Sequence, residues 1–320
     1  MMRKLFLCTT VCLFLSNTTF ANDADLCNSN LKSKSYTEAF RYCEKACNLD
    51  NGLGCSVLGV LYAEGKGVRQ DHQQAKTYFE KACNLNYGDG CANLGVLYTI
   101  GGVVRQDYQQ AKTYYERACN LDEVLGCFTL GLIYENGKGV RQDYQQAKTY
   151  YEKACNLDEG RGCSNLGRLY AVGRGVRQDY QQAKTYFEKA CNLDDDGRGC
   201  SGLGKLYVTG KGVREDSQQA KIYFEKACNL NYGDGCDNLG FLYVTGKGVR
   251  EDYQQAKTYF EKACNLDDGG GCIVLGRLYD TPGIGVTTDA KKAKEYYGKA
   301  CDLGEQQGCD EYRKFNEQGY

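Results

Sequence analysis

The chain of 320 residues contains one histidine, one proline and no tryptophan, and its 40 basic and 41 acidic residues leave a formal net charge of −1. A single imidazole, His72, cannot build the metal centres of zinc hydrolases, which draw on several histidine ligands. His72 itself stands where most sister segments carry Tyr, and no role is assigned to it. The charges are spread evenly, so no basic stripe exists to track a phosphate backbone or an anionic membrane, which removes nucleic acid as a partner class. Past the first 20 residues, no apolar run approaches the roughly 20 residues of a membrane-spanning helix.

The N-terminus differs from the rest of the chain. Met1, Met2, Arg3 and Lys4 form a basic start, Leu5 to Leu15 an apolar segment too short to span a bilayer, and Thr19-Phe20-Ala21 a small-residue cleavage site. Residues 1–21 therefore read as a signal peptide, and the mature chain 22–320 as secreted or periplasmic after cleavage near Ala21. Cysteine is abundant, at 20 residues, of which Cys8 and Cys12 leave with the signal. Eighteen cysteines in an oxidising compartment predict disulfides.

Self-similarity organises the remainder. RQDYQQAKTYYEKACNLD at 141–158 recurs almost unchanged at 105–122, 177–194 and 250–267. Cysteines preceded by Ala, at Cys47, Cys83, Cys119, Cys155, Cys191, Cys228, Cys264 and Cys301, mark a period of 36 or 37 residues, the length of a helical-hairpin repeat. Segment 22–320 thus reads as an all-α solenoid of about eight helix-pair repeats with a C-terminal capping helix; such a fold lengthens without enlarging any one core.

Each repeat predicts two helices. Over Gly88 to Asp122, the residues Cys91, Leu94, Leu97 and Tyr98 make the apolar stripe of a first helix that Gly101 and Gly102 end. Asp107 with Gln110 then predicts a capping box for a second helix, with Ala111, Tyr114, Tyr115, Ala118 and Cys119 facing inward. Gly95 and its equivalents Gly59, Gly131, Gly167, Gly204, Gly240 and Gly276 weaken a helix at one fixed position, which predicts close backbone approach between paired helices.

The run Leu166 to Cys191, of the form L-G-x-L-Y-x-x-G-x-G-V-x-x-D-x-x-x-A-x-x-Y-[FY]-x-x-A-C, resembles the Sel-one-like repeat, a relative of the tetratricopeptide repeat. With its recurrent A-C-N-L and following G-C, the mature chain resembles the Helicobacter cysteine-rich protein family. It departs from the pattern where Lys32 to Ser35 replace the G-x-G-V loop and where an insertion surrounds Pro282. The resemblance implies a right-handed superhelical solenoid, a role in host contact, and penicillin binding with weak β-lactam hydrolysis.

Sixteen cysteines fall into eight close pairs, Cys47/Cys55, Cys83/Cys91, Cys119/Cys127, Cys155/Cys163, Cys191/Cys200, Cys228/Cys236, Cys264/Cys272 and Cys301/Cys309. In each, the first lies near the end of a second helix and its partner near the start of the next first helix, positions that a tight turn brings to bridging distance. Cys27 and Cys43 remain for the shortened first hairpin, although Cys43 and Cys47 share a helix face and an exchange of partners stays open. Zinc would need four ligands per site, and redox activity a C-x-x-C, so no metal and no cofactor are expected.

Two columns vary among these near-identical repeats. One reads Val60, Val96, Leu132, Arg168, Lys205, Phe241 and Arg277; a turn earlier the other reads Val57, Asn93, Thr129, Asn165, Gly202, Asn238 and Val274. Both sit off the inward stripe of the first helix, which lines the groove of tetratricopeptide-like folds. Asn93, Val96, Asn165, Arg168, Lys205, Asn238, Phe241 and Arg277 are therefore the candidate ligand groove of a monomer that binds a protein or peptide, host-derived or from the cell wall.

The hydrolase alternative finds only Ser29-Asn30-Leu31-Lys32 as an S-x-x-K, without S-D-N or K-T-G, on the truncated hairpin. The recurrent tyrosines Tyr62, Tyr98, Tyr134, Tyr170, Tyr207, Tyr243 and Tyr279 read as inter-repeat core, with carbohydrate stacking as the alternative.

Overall fold

The computed structural model describes residues 23–193, 197–283 and 287–319; the segment read as a signal peptide and its cleavage site lie outside the described residues. Among the described residues every regular element is a helix. Helix α1 covers 23–32 and pairs in sequence with α2 (Tyr36–Asn48). First helices follow as α3 (Gly52–Glu64), α5 (Gly88–Ile100), α7 (Val124–Asn136), α9 (Gly160–Val172), α11 (Gly197–Thr209), α13 (Gly233–Thr245) and α15 (Gly269–Asp280). Their second helices are α4 (His72–Asn84), α6 (Tyr108–Asn120), α8 (Tyr144–Asn156), α10 (Tyr180–Asn192), α12 (Ser217–Asn229), α14 (Tyr253–Asn265) and α16 (Ala290–Asp302), and α17 (Gln306–Glu317) closes the chain. The helices gather into two compact units, one through Tyr150 and one from Tyr151.

Local chemistry sets these lengths. The carboxylates of Asp71, Asp107, Asp179, Asp216 and Asp252 each accept from the backbone N–H groups of the second and third residues of a second helix. The reciprocal arm of the capping box is replaced, because the Asp107 N–H already donates to the Tyr98 carbonyl at 2.9 Å, as Asp71 does to Tyr62 and Asp252 to Tyr243. That bond ties each G-x-G loop back to the end of its own first helix. At the other end the chain turns through Asp50, Asn86, Asp122, Asp158, Asn231 and Asp267, all at φ between +57° and +61°. Asp and Asn tolerate this left-handed region better than most residues, which explains why the residue after A-C-N-L is one of these two.

Packing between repeats turns on the glycine before the second cysteine of each pair. A Cβ on Gly90 would lie 2.5 Å from Ala82 Cβ and 2.7 Å from the Cys83 nitrogen, and one on Gly199 would meet Ala190 and Cys191 in the same way. The bare backbone of each first helix thus rests on the Ala-Cys of the preceding second helix. Disulfides join Cys47–Cys55, Cys83–Cys91, Cys119–Cys127, Cys155–Cys163, Cys191–Cys200, Cys228–Cys236, Cys264–Cys272 and Cys301–Cys309 at this spot, with Cα separations of 4.4–4.7 Å. Cys27–Cys43 joins α1 to α2 within the first hairpin, at a Cα separation of 4.8 Å.

The mid-helix glycines do something else. A Cβ on Gly95 would strike the Tyr115 ring at 2.6 Å, and one on Gly204 the Phe224 ring at 2.4 Å. Their missing side chains make room chiefly for an aromatic ring of the paired helix; at Gly167 the paired backbone is close as well, the Ala183 carbonyl oxygen lying 3.2 Å from where a Cβ would be. The tyrosine row works both within and between repeats: Tyr98 stacks on Tyr114 and Tyr207 on Tyr223, at 5.5 and 5.6 Å, inside one repeat. The preceding repeat reaches the row through a ring at Tyr62, which Phe40 meets edge to face at 5.5 Å, and through a lysine at Tyr134, where Lys112 lies 5.9 Å from the ring centroid.

If the Gly-Cys contact sets repeat spacing, Gly90→Ala should lower stability by about 1–3 kcal/mol through overpacking, despite an intrinsic helix gain of about 1 kcal/mol. Thermal melting of the oxidised protein measures this, and an unchanged melting temperature would mean that the two helices part without cost.

Candidate functional site

Within each unit, first helices of successive repeats touch one another, α3 with α5 and α9 with α11, more closely than second helices do. The first helices therefore form the inner side. In the second unit one stripe of that side runs Arg161, Asn165, Arg168 on α9; Arg198, Gly202, Lys205 on α11; Asp234, Asn238, Phe241 on α13; and Gly270, Val274, Arg277 on α15. These are positions i, i+4 and i+7 of each helix, one face by geometry.

The two sequence columns supply the later members of each triplet. Asn165, Arg168 and Asn238 are partly buried, and Lys205, Phe241 and Arg277 are exposed. Asn93 and Val96 occupy the matching, partly buried places on α5 of the first unit. Val57, in the same column, departs from it by being buried in the core around Leu58 and Leu61. The structure brings Asn165, Arg168 and Lys205 around one cavity of about 390 Å³, together with Arg198, Ser201 and Asp234. Phe241 and Arg277 are not part of its lining; the Phe241 ring meets Phe260 edge to face at 5.3 Å.

Electrostatics divide the stripe. Arg161, Arg168, Arg198 and Lys205 make α9 and α11 cationic, Asp234 brings a carboxylate at α13, and a cation returns with Arg277 on α15. Lys205 Nζ lies 2.6 Å from Asp234 Oδ1, and the Ser201 hydroxyl donates to Asp234 Oδ2. Behind them Asp237 has one oxygen, Oδ1, buried without a hydrogen-bond partner. Burial first, then the neighbouring Asp268 and Asp234 carboxylates, push its pKa up to about 7, with Lys205 opposing. Burial likewise raises Asp268, against the Gly271 N–H that its carboxylate accepts at 2.9 Å. The first unit repeats the theme: burial, a hydrogen bond with Asp89 and the charge of Asp89 push Glu123 up to about 7.

Sequence reasoning missed Arg198, Asp234, Asp237 and Asp268. For Arg198 and Asp234 the signal was a third variable column, the residue just ahead of each G-C, which reads Leu53, Asp89, Leu125, Arg161, Arg198, Asp234 and Gly270. It resembles turn sequence, yet it begins the inner stripe. Two larger polar hollows, of about 550 and 540 Å³, lie beside the G-x-G-V loops. Their linings are nearly the same residues in successive repeats, Gln218 and Lys221 answering Gln181 and Lys184, so they recur with the scaffold rather than distinguish one repeat from another.

Ser29 is exposed on α1, and its hydroxyl donates to the Leu26 carbonyl of its own helix at 3.2 Å. Among the described residues no group of three or more His, Cys, Asp or Glu side chains is arranged to hold a metal ion.

The Sel1 repeat model matches residues 28–51, 53–87, 88–123, 124–159, 160–195, 197–232, 233–268 and 271–305. A crystal structure of a protective antigen of uropathogenic Escherichia coli, displaying an SLR fold, superposes with a TM-score of 0.69 at 25% identity, over 89% of this chain and 61% of that one. A Sel1 repeat protein from Oxalobacter formigenes also gives 0.69, at 27% identity, over 76% of this chain and 99% of that one. A Helicobacter pylori protein named Beta-lactamase HcpA is 44% identical over 46 residues, a match that spans 14% of this chain and 18% of that protein.

The raised Asp237 pKa has a consequence for stability. An ordinary aspartate titrates near 3.9, so between about pH 4 and 7 the folded protein holds a proton that the unfolded chain releases. The contribution of this group is fully present below about pH 4 and is lost as pH rises through about 7. Asp237→Asn should remove up to about 1.4 kcal/mol of stability loss per pH unit across that window and make the variant more stable than the parent at pH 8. Melting curves at pH 5 and pH 8 test it; identical pH dependence in parent and variant would show that Asp237 ionises normally.

Proposed function

The chain belongs to the Sel1 repeat family, a class of helical scaffold suited to binding proteins, and from that premise we propose that it works outside the cytoplasm as a binding solenoid. The observation that carries this reading is the inner stripe. Between repeats whose second helices are almost identical, the stripe alternates Arg, Asn, Lys, Asp and Phe, and it holds a cavity where three of the candidate groove residues meet. A scaffold alone has no need of that variety.

The proposed ligand is a protein or peptide, host-derived or from the cell wall, held by the amides and cationic side chains of the stripe. Release through the N-terminal signal is part of the proposal, and nine disulfides among the described residues accord with an oxidising compartment. The protective-antigen title of the Escherichia coli structure belongs to that protein, and host contact here is proposed by likeness to it.

Capture of partners by the oxidised mature protein, read by mass spectrometry, tests the stripe when repeated with a fourfold variant, Arg168→Ala, Lys205→Ala, Phe241→Ala and Arg277→Ala. The Lys205–Asp234 pair and the Phe241–Phe260 contact should cost about 1 kcal/mol together. Helical circular dichroism should survive, whereas a buried anchor in a complex is commonly worth 2 kcal/mol or more, roughly thirtyfold in affinity. Retained capture would move the site to the outer helices or the loops.

A β-lactam hydrolase is the second reading, favoured by the name of the relative that matches 14% of the chain. Nucleophilic catalysis needs a serine within reach of a base, and the Ser29 hydroxyl instead bonds its own helix. Purified protein should turn over a chromogenic cephalosporin at background rate, unchanged by Ser29→Ala. An acyl adduct trapped on Ser29 would reinstate the enzyme.

A further inference from the structure

The inner stripe has a different chemistry in each unit. On α9 and α11 it carries Arg161, Arg168, Arg198 and Lys205. The same places in the first unit are aliphatic, with Leu53 and Val60 on α3, Val96 on α5, and Leu125 and Leu132 on α7. All five keep some exposure, Leu125 at 37%. One turn beyond Val96 the stripe continues in Ile100, which is 73% exposed, whereas its equivalents in this unit are Glu64 and Asn136. Helices α3, α5 and α7 touch in that order, so these side chains form a row rather than scattered points. Aliphatic groups gathered on one face mark a surface that a partner covers.

One charged place interrupts the row. Asp89 stands on α5 where α13 has Asp234, and the preceding first helix treats the two carboxylates differently. At Asp234 it supplies Lys205, whose Nζ lies 2.6 Å from Oδ1. At Asp89 the place of Lys205 falls to Val60. Glu123 adds a second acid: a Cβ on Gly88 would lie 2.8 Å from the Glu123 Cβ, and its carboxyl shares a hydrogen bond with that of Asp89. Among the described residues no lysine, arginine or histidine forms an ion pair with either acid. Burial, then the Asp89 carboxyl, push Glu123 up to about 7, as two acids held together without a counter-ion require. The first unit keeps the anion and lacks the ammonium group that the second unit provides from its own chain.

We propose that the inner side of the first unit binds an extended peptide segment in which a lysine is followed, on the same face, by aliphatic side chains. Its ammonium group takes at Asp89 and Glu123 the place that Lys205 takes at Asp234, and the aliphatic groups lie on Val96, Ile100 and Leu125. Charge complementarity fixes the lysine, and burial of the exposed row supplies the rest. The proposal rests on the inner-stripe reading above and assigns the first unit a ligand chemistry of its own. From Asp89 to Ile100, α5 rises about 16 Å, a span that an extended chain covers in about five residues.

The probe is a blocked, fluorescently labelled Gly-Lys-Ser-Leu-Ser-Leu-Gly heptapeptide, whose alternation puts Lys and both Leu on one face. Its anisotropy should rise to saturation on the parent. Norleucine in place of Lys should weaken binding about tenfold, as a lost charge-assisted hydrogen bond requires, and Ser in place of both Leu about tenfold or more. Val60→Lys gives Asp89 the internal partner that Asp234 has, at a place where α9 and α11 already carry Arg168 and Lys205. It should weaken the lysine peptide at least about tenfold. Asp89→Asn should weaken that peptide about tenfold yet leave the norleucine peptide nearly unchanged, which keeps the test decisive if Val60→Lys melts early. Ile100→Ser should weaken both peptides about fivefold or more.

No binding by the parent, equal binding of the lysine and norleucine peptides, or undiminished binding by a folded Val60→Lys overturns the proposal. So does a dimer of the parent that Ile100→Ser abolishes without any peptide binding, which would give the row to a second copy of the chain. The fourfold variant changes the second unit alone. If the heptapeptide fails while partner capture still depends on that variant, the lysine site falls and the stripe reading stands; if it binds while capture ignores the variant, the reverse holds.

Discussion

The distance at which a first helix rests on the second helix before it governs this architecture. At Gly90 on Ala82 and Cys83, or Gly199 on Ala190 and Cys191, there is no room for a single added methyl group. Thirteen-residue helices are marginal alone, and the residues buried at these junctions are largely Ala, Gly and Cys, which bury little apolar area each. The disulfide at the same point compensates. Closing a loop of eight or nine residues contributes roughly 2.5 kcal/mol by the chain-entropy model. Small side chains that allow close approach also bring the two cysteine Cα atoms near enough to bond, so the weak core and its covalent support share one geometric cause.

Other inter-repeat contacts elaborate that junction. Lys81 donates to the Cys47 carbonyl at 2.7 Å and pairs with Asp50 at 3.0 Å, so one second helix caps the C-terminal end of the previous one. Lys189 does the same to Cys155 and Asp158. On the far side, Gln109 donates to the Gly139 carbonyl and Gln181 to that of Gly212, tying these two G-x-G loops to the preceding repeat. Where both bonds form, as at Lys189 and Gln181 of α10, a second helix is tied to its neighbours at both ends. The repeated second-helix sequence carries nearly all of this work, which is why it varies so little along the chain.

The period and the cysteine register were legible because they are one-dimensional features, counted directly along the chain. What resisted reading was direction. Gly90 and Gly95 both sit in a first helix, and periodicity cannot say that one faces a backbone and the other the Tyr115 ring. Asp107 was recognisable as a cap, but not that its N–H would go to Tyr98, a partner nine residues earlier across a loop. Two columns of the inner stripe were visible as variation. The third, with Arg198 and Asp234, escaped because its flanking glycines look like a turn, although α11 and α13 have already begun there.

Stapling and the proposed recognition fall to different residues of the same helix. In α11, Cys200 and Gly199 hold the junction, and Leu203 and Leu206 fill the core, while Arg198, Gly202 and Lys205 face the inner side. A change in Arg198 or Lys205 leaves the first four in place, so these stripe positions are free to differ from repeat to repeat at little cost in fold, whereas a side chain at 202 would meet the Phe187 ring. A mid-helix glycine gives up intrinsic stability, and α11 can carry the loss because the Cys191–Cys200 bond fixes its N-terminal turn independently of propensity. The covalent staple thus does more than stabilise the scaffold: it lets an inner-stripe position lose its side chain where the Phe187 ring takes the room.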